Sequence, residues 1–472
     1  MVASEATPFC KTGGLADVIG ALPAALAHKG EQVAVVLPGY ADNKYPGPLR
    51  EAYRNLPVSL PGGFTVDVFE IEERGVRFFF VFCPPLYDRN GLYGAGGQDF
   101  PDNAVRFAVL CRAALAISRV LFLPDMIHCH DWQAALTPVY LRRYLHGDPT
   151  YMGSRVLFTI HNLGYQGLFP PAVLPGIGLD PGIFTPNLME FYGQVNFLKG
   201  AIHYSDAVST VSKRYAQEIQ TPELGFGLDT YLRTHAKMIT GIVNGVDYQE
   251  WSPEYDSYIA ARYSANDLSG KRECKRALLA EYGLPAENMD RPVLGIVSRF
   301  VSQKGFDLIA QIAGQLRDLD VAMTVLGSGE QQYQDLFQWL ALERPDRFGF
   351  HNGYDNPLAH RIEAGADAFL MPSRYEPCGL NQIYSLKYGT LPIVRATGGL
   401  DDTIDEGTGF KFRDYTGTAL LGAIRSALDA YQDRNLWREM MVRAMSRDFS
   451  WDAAAIDYRK LYREILGRAA AA

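Results

Sequence analysis

Apolar positions along the chain fall in short buried-strand runs that alternate with stretches of helical period. That alternation predicts βαβ units and parallel sheets. Near the start, Leu15–His28 reads as a helix, Gly30 ends it, and Gln32–Leu37 reads as a strand. A later unit is clearer. Val293–Val297 predicts a buried strand, Phe306–Leu316 a helix and Val321–Leu326 the next strand, which together make one crossover.

Thr12-Gly13-Gly14-Leu15-Ala16-Asp17 has a partner near the other end in Thr397-Gly398-Gly399-Leu400-Asp401-Asp402, and each is placed where a turn leads into a helix. One copy in each half suggests two doubly wound α/β domains. Asn244-Gly245-Val246-Asp247, followed by Trp251-Ser252-Pro253, closes one strand-like run and opens a polar segment. The expected division is residues 1–243, residues 244–450, and a helical segment 451–472 returning to the first domain.

At 472 residues the chain exceeds one ordinary core, in keeping with two domains. A net charge of −8 argues against nucleic acid as a partner, because phosphate neutralisation needs a basic surface. It leaves room for a local cationic pocket or a neutral polysaccharide. No apolar run is long enough for a membrane span, and the start has no export-signal pattern. The six cysteines are scattered without a Cys-x-x-Cys pair, which reads as reduced thiols in a cytoplasmic protein.

The candidate chemistry begins with cations in unfavourable places. A helix N-terminus carries partial positive charge, yet Lys11 precedes the Gly13-Gly14 turn into the first helix. Lys304 precedes Gly305 at a later helix start, and Arg299 ends the strand before it. A bound phosphate would resolve both conflicts. No Gly-x-x-x-x-Gly-Lys-Ser/Thr loop occurs, and Gly327-Ser328-Gly329 is an incomplete dinucleotide pattern, so ATPase and dehydrogenase readings find little support. His128 and His130 would share one strand face, but no further His/Cys cluster completes a metal set. The stretch reads instead as a strand end lining a cleft, with Asp131 facing sugar. Strand Leu157–Ile160 delivers His161-Asn162, and strand Ala368–Pro372 leads to Glu376, a carboxylate suited to sugar hydroxyls.

Together these segments resemble the bacterial glycogen synthases and plant starch synthases. The motifs are Lys11-Thr12-Gly13-Gly14-Leu15, His130-Asp131-Trp132, His161-Asn162, Asn196-Phe197-Leu198-Lys199-Gly200, Asn244-Gly245-Val246-Asp247, Ser298-Arg299, Gln303-Lys304-Gly305, Glu376-Pro377-Cys378-Gly379-Leu380 and Thr397-Gly398-Gly399-Leu400, and they run the length of the chain. The resemblance implies the GT-B architecture, two facing Rossmann-like domains with an interdomain cleft, donor mainly on the second and acceptor glucan mainly on the first. It implies transfer of glucose from ADP-glucose to a glycogen or α-1,4-glucan primer, with retention and with neither metal nor cofactor. Arg299 and Lys304 would hold the diphosphate, His161 the transferring glucose, and Glu376 its hydroxyls. Lys11, Gly13 and Gly14 would approach the donor. Asp131, Asn162 and Asn244 would contact sugar, the backbone of Cys378, Gly379 and Leu380 would complete the glucose grip, and Tyr354 would lie near adenine.

Three departures from the family pattern stand out. The chain opens Met1-Val2-Ala3-Ser4-Glu5, where relatives usually carry several more apolar residues in the first strand, so a weakened edge beside Lys11 is expected. The Thr403–Gly409 connection is short, and Asn381 stands where relatives often have Thr. The competing readings are a GT-B transferase with another nucleotide sugar, a non-catalytic glucan- or sugar-binding protein, and a phosphorylase. The second leaves the paired cations unexplained. The third needs a longer chain and a pyridoxal-phosphate lysine.

Overall fold

The computed structural model describes residues 1–470, so Ala471 and Ala472 of the expected 451–472 segment lie outside it. The chain forms two compact units. One comprises Met1–Val211, Ala216–Gly245 and the chain from Trp451 onward; the other comprises Ser212–Tyr215 and Val246–Ser450. No local pattern marks Ser212–Tyr215 as part of the second unit, where the Arg214 N–H donates to Asp402 Oδ2 at 2.9 Å.

The first unit is built on strands β1 (Ala34–Pro38), β2 (Arg50–Pro57), β3 (Thr65–Glu73), β4 (Val76–Phe82), β5 (Met126–His130), β6 (Arg155–Ile160), β7 (Ala207–Thr210) and β8 (Ile239–Gly241). They lie in the orders β2-β3-β4-β1 and β5-β6-β7-β8. Val2 joins the two sets, bridging in parallel to Val36 on one side and Cys129 on the other. Its N–H donates to His128 O at 2.9 Å, and its carbonyl accepts from the His130 N–H at 3.1 Å. The short opening segment therefore acts as a middle strand, not as the weakened edge expected beside Lys11. All five residues of β1 are buried, as a strand covered on both faces requires.

Helix α1 (Gly14–His28) packs against the C-terminal helix Trp451–Ala470. The latter buries Trp451, Ala454, Ala455, Tyr458, Leu461 and Ile465, one stripe at helical spacing, into the cluster holding Ile19, Leu22 and Leu26. Lys29 Nζ–Asp452 Oδ1 at 3.0 Å and Arg459 Nε–Glu31 Oε1 at 2.6 Å fasten its rim. Helix α2 (Phe197–Tyr204) is capped by Asn196, whose side chain accepts the Lys199 N–H.

The second unit holds one all-parallel sheet of β9 (Val293–Phe300), β10 (Ala322–Gly329), β11 (Phe348–Asn352), β12 (Ala368–Met371), β13 (Leu391–Arg395) and β14 (Phe410–Phe412). Their order is β11-β10-β9-β12-β13-β14, which counted within the unit is 3-2-1-4-5-6, the Rossmann order. The order reverses between β9 and β12. These two pair only at Leu294–Ala368 and Gly295–Phe369, although β9 runs on to Phe300. Ligands bind beyond such a reversal in open α/β sheets. The expected helix Phe306–Leu316 is two shorter ones, α3 (Phe306–Gln311) and Ala313–Asp318, divided where Ile312 leaves helical geometry (φ −111°, ψ 10°). Helices α4 (Asn381–Lys387) and α5 (Gly398–Thr403) follow β12 and β13. No helix among the described residues is long and apolar enough to cross a membrane.

Leu461 is 3% exposed within the first unit's core. Leu461→Ala is expected to destabilise that unit by about 3 kcal/mol, through lost burial and the cavity left behind. A urea titration followed by hydrogen exchange in α1 checks this; an unmoved midpoint would mean that the C-terminal helix contributes nothing to the unit.

Candidate active site

In the second unit three strand-end loops meet at the reversal of strand order. After β9 the chain makes one tight turn, Ser302–Lys304, and Gly305 takes φ +75° before α3. A Cβ on Gly305 would run into the carbonyl oxygen of Pro372, so the loop after β9 lies directly on the loop after β12. Backbone and side chain lock that contact: the Arg374 N–H donates to Gln303 O at 2.8 Å, and Gln303 Nε2 donates to Tyr375 O at 3.2 Å. The third loop, after β13, is pressed on just as closely. Gly398, at φ +46°, has no room for a side chain against Glu376 O, and the Gly399 N–H donates to that same oxygen at 3.1 Å.

This packing puts Lys304 Nζ 2.7 Å from Glu376 Oε2. Ser373 Oγ donates to the same oxygen at 3.0 Å. Glu376 is buried, and its Oε1 takes no hydrogen bond among the described residues. Around it, Cys378 is buried, Gln382 Nε2 donates to the carbonyls of Cys378 and Gly379 at 3.0 Å each, and Asn381 Nδ2 ties the start of α4 to Val297 O at 3.0 Å. Leu380 is half-buried at the N-cap of α4. Arg299 is exposed near the end of β9, and no carboxylate among the described residues pairs with it. Tyr354 is 79% exposed just beyond β11, its hydroxyl donating to Asn356 Oδ1 at 3.2 Å.

In the first unit the corresponding place is the end of the Val2 segment and of β5. Lys11 Nζ pairs with Asp17 Oδ1 at 2.7 Å, so the first turn of α1 supplies a carboxylate to the cation ahead of it. Glu5, buried, accepts from Thr12 Oγ1 at 2.9 Å and from the Thr12 N–H at 2.5 Å, fixing the turn before α1. A Cβ at Gly14 would meet nothing within 4 Å, and one at Gly13 only Glu5 Oε1 at 3.9 Å. The two Thr-Gly-Gly-Leu turns therefore differ: the later one admits its own chain, whereas the earlier one faces open space.

Asp131, at φ +59°, accepts the His161 N–H on Oδ1 at 2.7 Å and also the N–H of Asn162. Its carboxyl is a pin between the ends of β5 and β6. Burial pushes its pKa up to about 7, against the two N–H bonds that favour the ionised form. His161 Nε2 lies 3.0 Å from His130 Nδ1, and burial pulls the His161 pKa down to about 3, although the residue as a whole is only half-buried. Burial, then the charges of neighbouring imidazoles, lowers His130 well below its ordinary value. His128 is likewise lowered by burial and bonds Tyr462 Oη at 2.7 Å and Thr159 Oγ1 at 2.6 Å. Both His128 and His130 are wholly inside the unit, so the expected cleft wall reduces to Asp131 and His161. Among the described residues no group of three His, Cys, Asp or Glu is placed to hold a metal ion. Asn162 Oδ1 accepts the Gly164 N–H at 2.9 Å, and Asn244 is buried with Oδ1 unbonded.

Residues 1–234 match the family described as starch synthase catalytic domain, and residues 285–441 match glycosyl transferases group 1. The chain is 52% identical to a glycogen synthase of Koribacter versatilis, over 98% of this chain and 97% of that one. It is 48% identical to a glycogen synthase of Anaeromyxobacter sp. (strain Fw109-5), over 98% of each. The chain belongs to the glycogen synthase family. Its two Rossmann-like units are those of a GT-B glycosyltransferase. Among solved structures it is similar to the catalytic domain of starch synthase IV from Arabidopsis thaliana bound to ADP and acarbose, with a TM-score of 0.89 and 33% identity over 99% of this chain and 98% of that chain.

Of the residues expected to act together in this glycogen synthase fold, Lys304 and Glu376 touch, and Asp131, His161 and Asn162 are bonded into one cluster. Arg299 and Tyr354 touch neither Lys304 nor Glu376 through any hydrogen bond among the described residues. Sequence reasoning missed Asp17, Glu5 and Ser373. Asp17 had a visible signal, a carboxylate in the first turn behind a lysine, whereas Glu5 and Ser373 act through turns whose folding the residue order does not disclose.

The perturbed groups give a pH signature. The neutral imidazoles of His128, His130 and His161, with folded pKa values below the ordinary 6.5, contribute stability that is present above pH 6.5 and lost as pH falls from there. Asp131 does the reverse: its raised value favours the fold below its ordinary 3.8, and that contribution is lost as pH rises to about 7. Asp131→Asn should therefore gain stability relative to the parent steadily between pH 4 and pH 7. Melting temperatures across that range test it, and a pH-independent difference would refute the assignment.

Proposed function

We propose that the chain transfers glucose from ADP-glucose to the non-reducing end of an α-1,4-glucan such as glycogen, with retention of configuration and without a metal. The reading rests chiefly on the Lys304–Glu376 pair standing where the Rossmann strand order reverses. Arg299 and Lys304 hold the donor diphosphate and stabilise the charge that develops on departing ADP. Glu376, through its unbonded Oε1, takes glucose hydroxyls, with the backbone of Cys378, Gly379 and Leu380 beside it. Tyr354 lies against the adenine. In the first unit, His161 contacts glucose, Asp131, Asn162 and Asn244 shape the sugar-facing loops, and the open turn at Gly13-Gly14 beside Lys11 is suited to an anion. The family membership and the ADP in the related starch synthase structure support an adenine nucleotide donor. The cysteines, which form no disulfide among the described residues, fit a cytoplasmic setting.

Incubation with glycogen and either ADP-glucose or UDP-glucose, following nucleotide release and chain extension, tests the reading. ADP-glucose is expected to be preferred by about tenfold or more in kcat/KM, and equal or reversed preference overturns the donor assignment. Glu376→Ala, His161→Ala and Lys304→Ala should each lower transfer by about a hundredfold or more. Residual activity within about tenfold of the parent rejects the role concerned. Transfer should persist in EDTA; loss restored by a single divalent metal overturns the metal-free step.

A further inference from the structure

The motif Asn196-Phe197-Leu198-Lys199-Gly200 has no part in the chemistry above, yet it contains a buried lysine and a buried asparagine. Their bonds explain them. Lys199 Nζ donates to Pro186 O and to Glu190 O, both at 2.6 Å, and stands 4.5 Å from the centre of the Tyr231 ring. Asn196 Nδ2 donates to Gln166 Oε1 at 2.6 Å, and Gln166 Nε2 donates on to Phe226 O at 3.1 Å. Tyr231 Oη donates to Asn187 O at 2.8 Å. One helix start thus clamps three surface segments, around residues 165–169, 186–193 and 225–231.

These segments share exposed aromatic side chains. Tyr192 is 84% and Tyr165 61% exposed, and Phe226 and Leu168 are partly so. Tyr192 turns the hairpin in which Phe191 pairs with Gln194, and Gln194–Asn196 in turn pairs with Leu168–Phe169. Tyr192 and Phe226 each have φ +47°, and each is followed by a glycine at positive φ. Such two-residue turns favour Asn, Asp or Gly at the first position, so an aromatic there works against local stability. The two turns abut, since a Cβ on Gly227 would lie 2.9 Å from the Phe191 ring and 3.4 Å from that of Tyr192. Neither residues 162–169, nor 190–196, nor 222–229 contain a lysine or arginine, so phosphate and nucleotide ligands find no partner on these segments.

From this clamped aromatic surface on the first unit we infer a stacking platform for the α-1,4-glucan, formed by Tyr165, Tyr192 and Phe226. The inference rests on the proposed glucan acceptor and extends it. A pyranose ring offers an apolar face of C–H bonds, and a rigid aromatic ring binds it at little conformational cost. The platform is continuous with the candidate sugar site: the Tyr165 N–H donates to Asn162 O at 3.2 Å, next to His161. A clamp anchored in the core keeps the rings in place without needing the glucan to order them.

The test uses the whole chain with Tyr192→Ser and Tyr165→Ser, both surface changes. The KM for glycogen should rise by about tenfold or more in each, the KM for ADP-glucose should stay within about twofold, and Tyr192→Phe should keep the parent value. Native electrophoresis through gels containing glycogen, with no donor present, should slow the parent more than the serine variants. That readout stands even if the donor or transfer reading fails. Equal retardation of parent and variants overturns the platform. So does unchanged retardation accompanied by an altered oligomeric state, which would give the face to a second copy of the chain.

Discussion

Everything chemical in the second unit depends on how closely three loops approach one another at the reversal of strand order. Gly305 lies against Pro372 and Gly398 against Glu376, both at positive φ, and neither place has room for a Cβ. A buried carboxylate is costly unless it is paired and hydrogen-bonded. Glu376 has both remedies on a single oxygen, from Lys304 and Ser373, because the loops are that close. The other oxygen keeps its capacity to accept. The strand order fixes where the loops gather, and the glycines fix how tightly.

The first unit uses a related turn to a different end. Thr12-Gly13-Gly14-Leu15 and Thr397-Gly398-Gly399-Leu400 have the same four residue types, but Gly398 and Gly399 are filled by backbone of their own unit while Gly14 meets nothing within 4 Å. Glycine removes a side chain in both cases; what occupies the cleared space differs. Glu5, reaching the backbone and hydroxyl of Thr12, holds the open turn in shape without filling it. Openness and order are compatible there because the bonds come from behind the turn.

Much of this was legible in the residue order. Alternating apolar runs mark the strands, and the candidates His161, Arg299 and Glu376 do lie at or just beyond strand ends, where each parallel sheet gathers its carboxyl edge. Lys11 and Lys304 do precede helices, but Asp17 and Glu376 answer them from within the chain, and Arg299 is the residue left exposed at its strand end. The Lys11–Asp17 pairing was open to local pattern, but the Lys304–Glu376 pairing depends on loops meeting in space, which local pattern does not encode. The same limit hid the exchange of Ser212–Tyr215 into the second unit and the purpose of Lys199, whose partners Pro186 and Glu190 lie on a loop and at the start of the short hairpin after it. The break at Ile312 was invisible for another reason: the apolar period continues through it, and only backbone geometry changes.

The candidate residues differ in the hydrogen-bonding capacity they leave open. An ammonium has three N–H donors, and Lys304 gives one to Glu376, so it can serve a phosphate oxygen without abandoning the carboxylate. Glu376 thus orients the cation with no ligand bound, so the pair is preorganised. His161 is the opposite case. Burial keeps its imidazole neutral, and His130 engages Nε2, leaving Nδ1 as the nitrogen with no partner among the described residues. A neutral ring with one available nitrogen can donate or accept a single hydrogen bond, according to its tautomer. The dense surroundings of β5 and β6 disfavour the charged ring. The same residue type at an exposed loop would titrate near neutrality; here burial between the ends of β5 and β6 holds the ring in its neutral form.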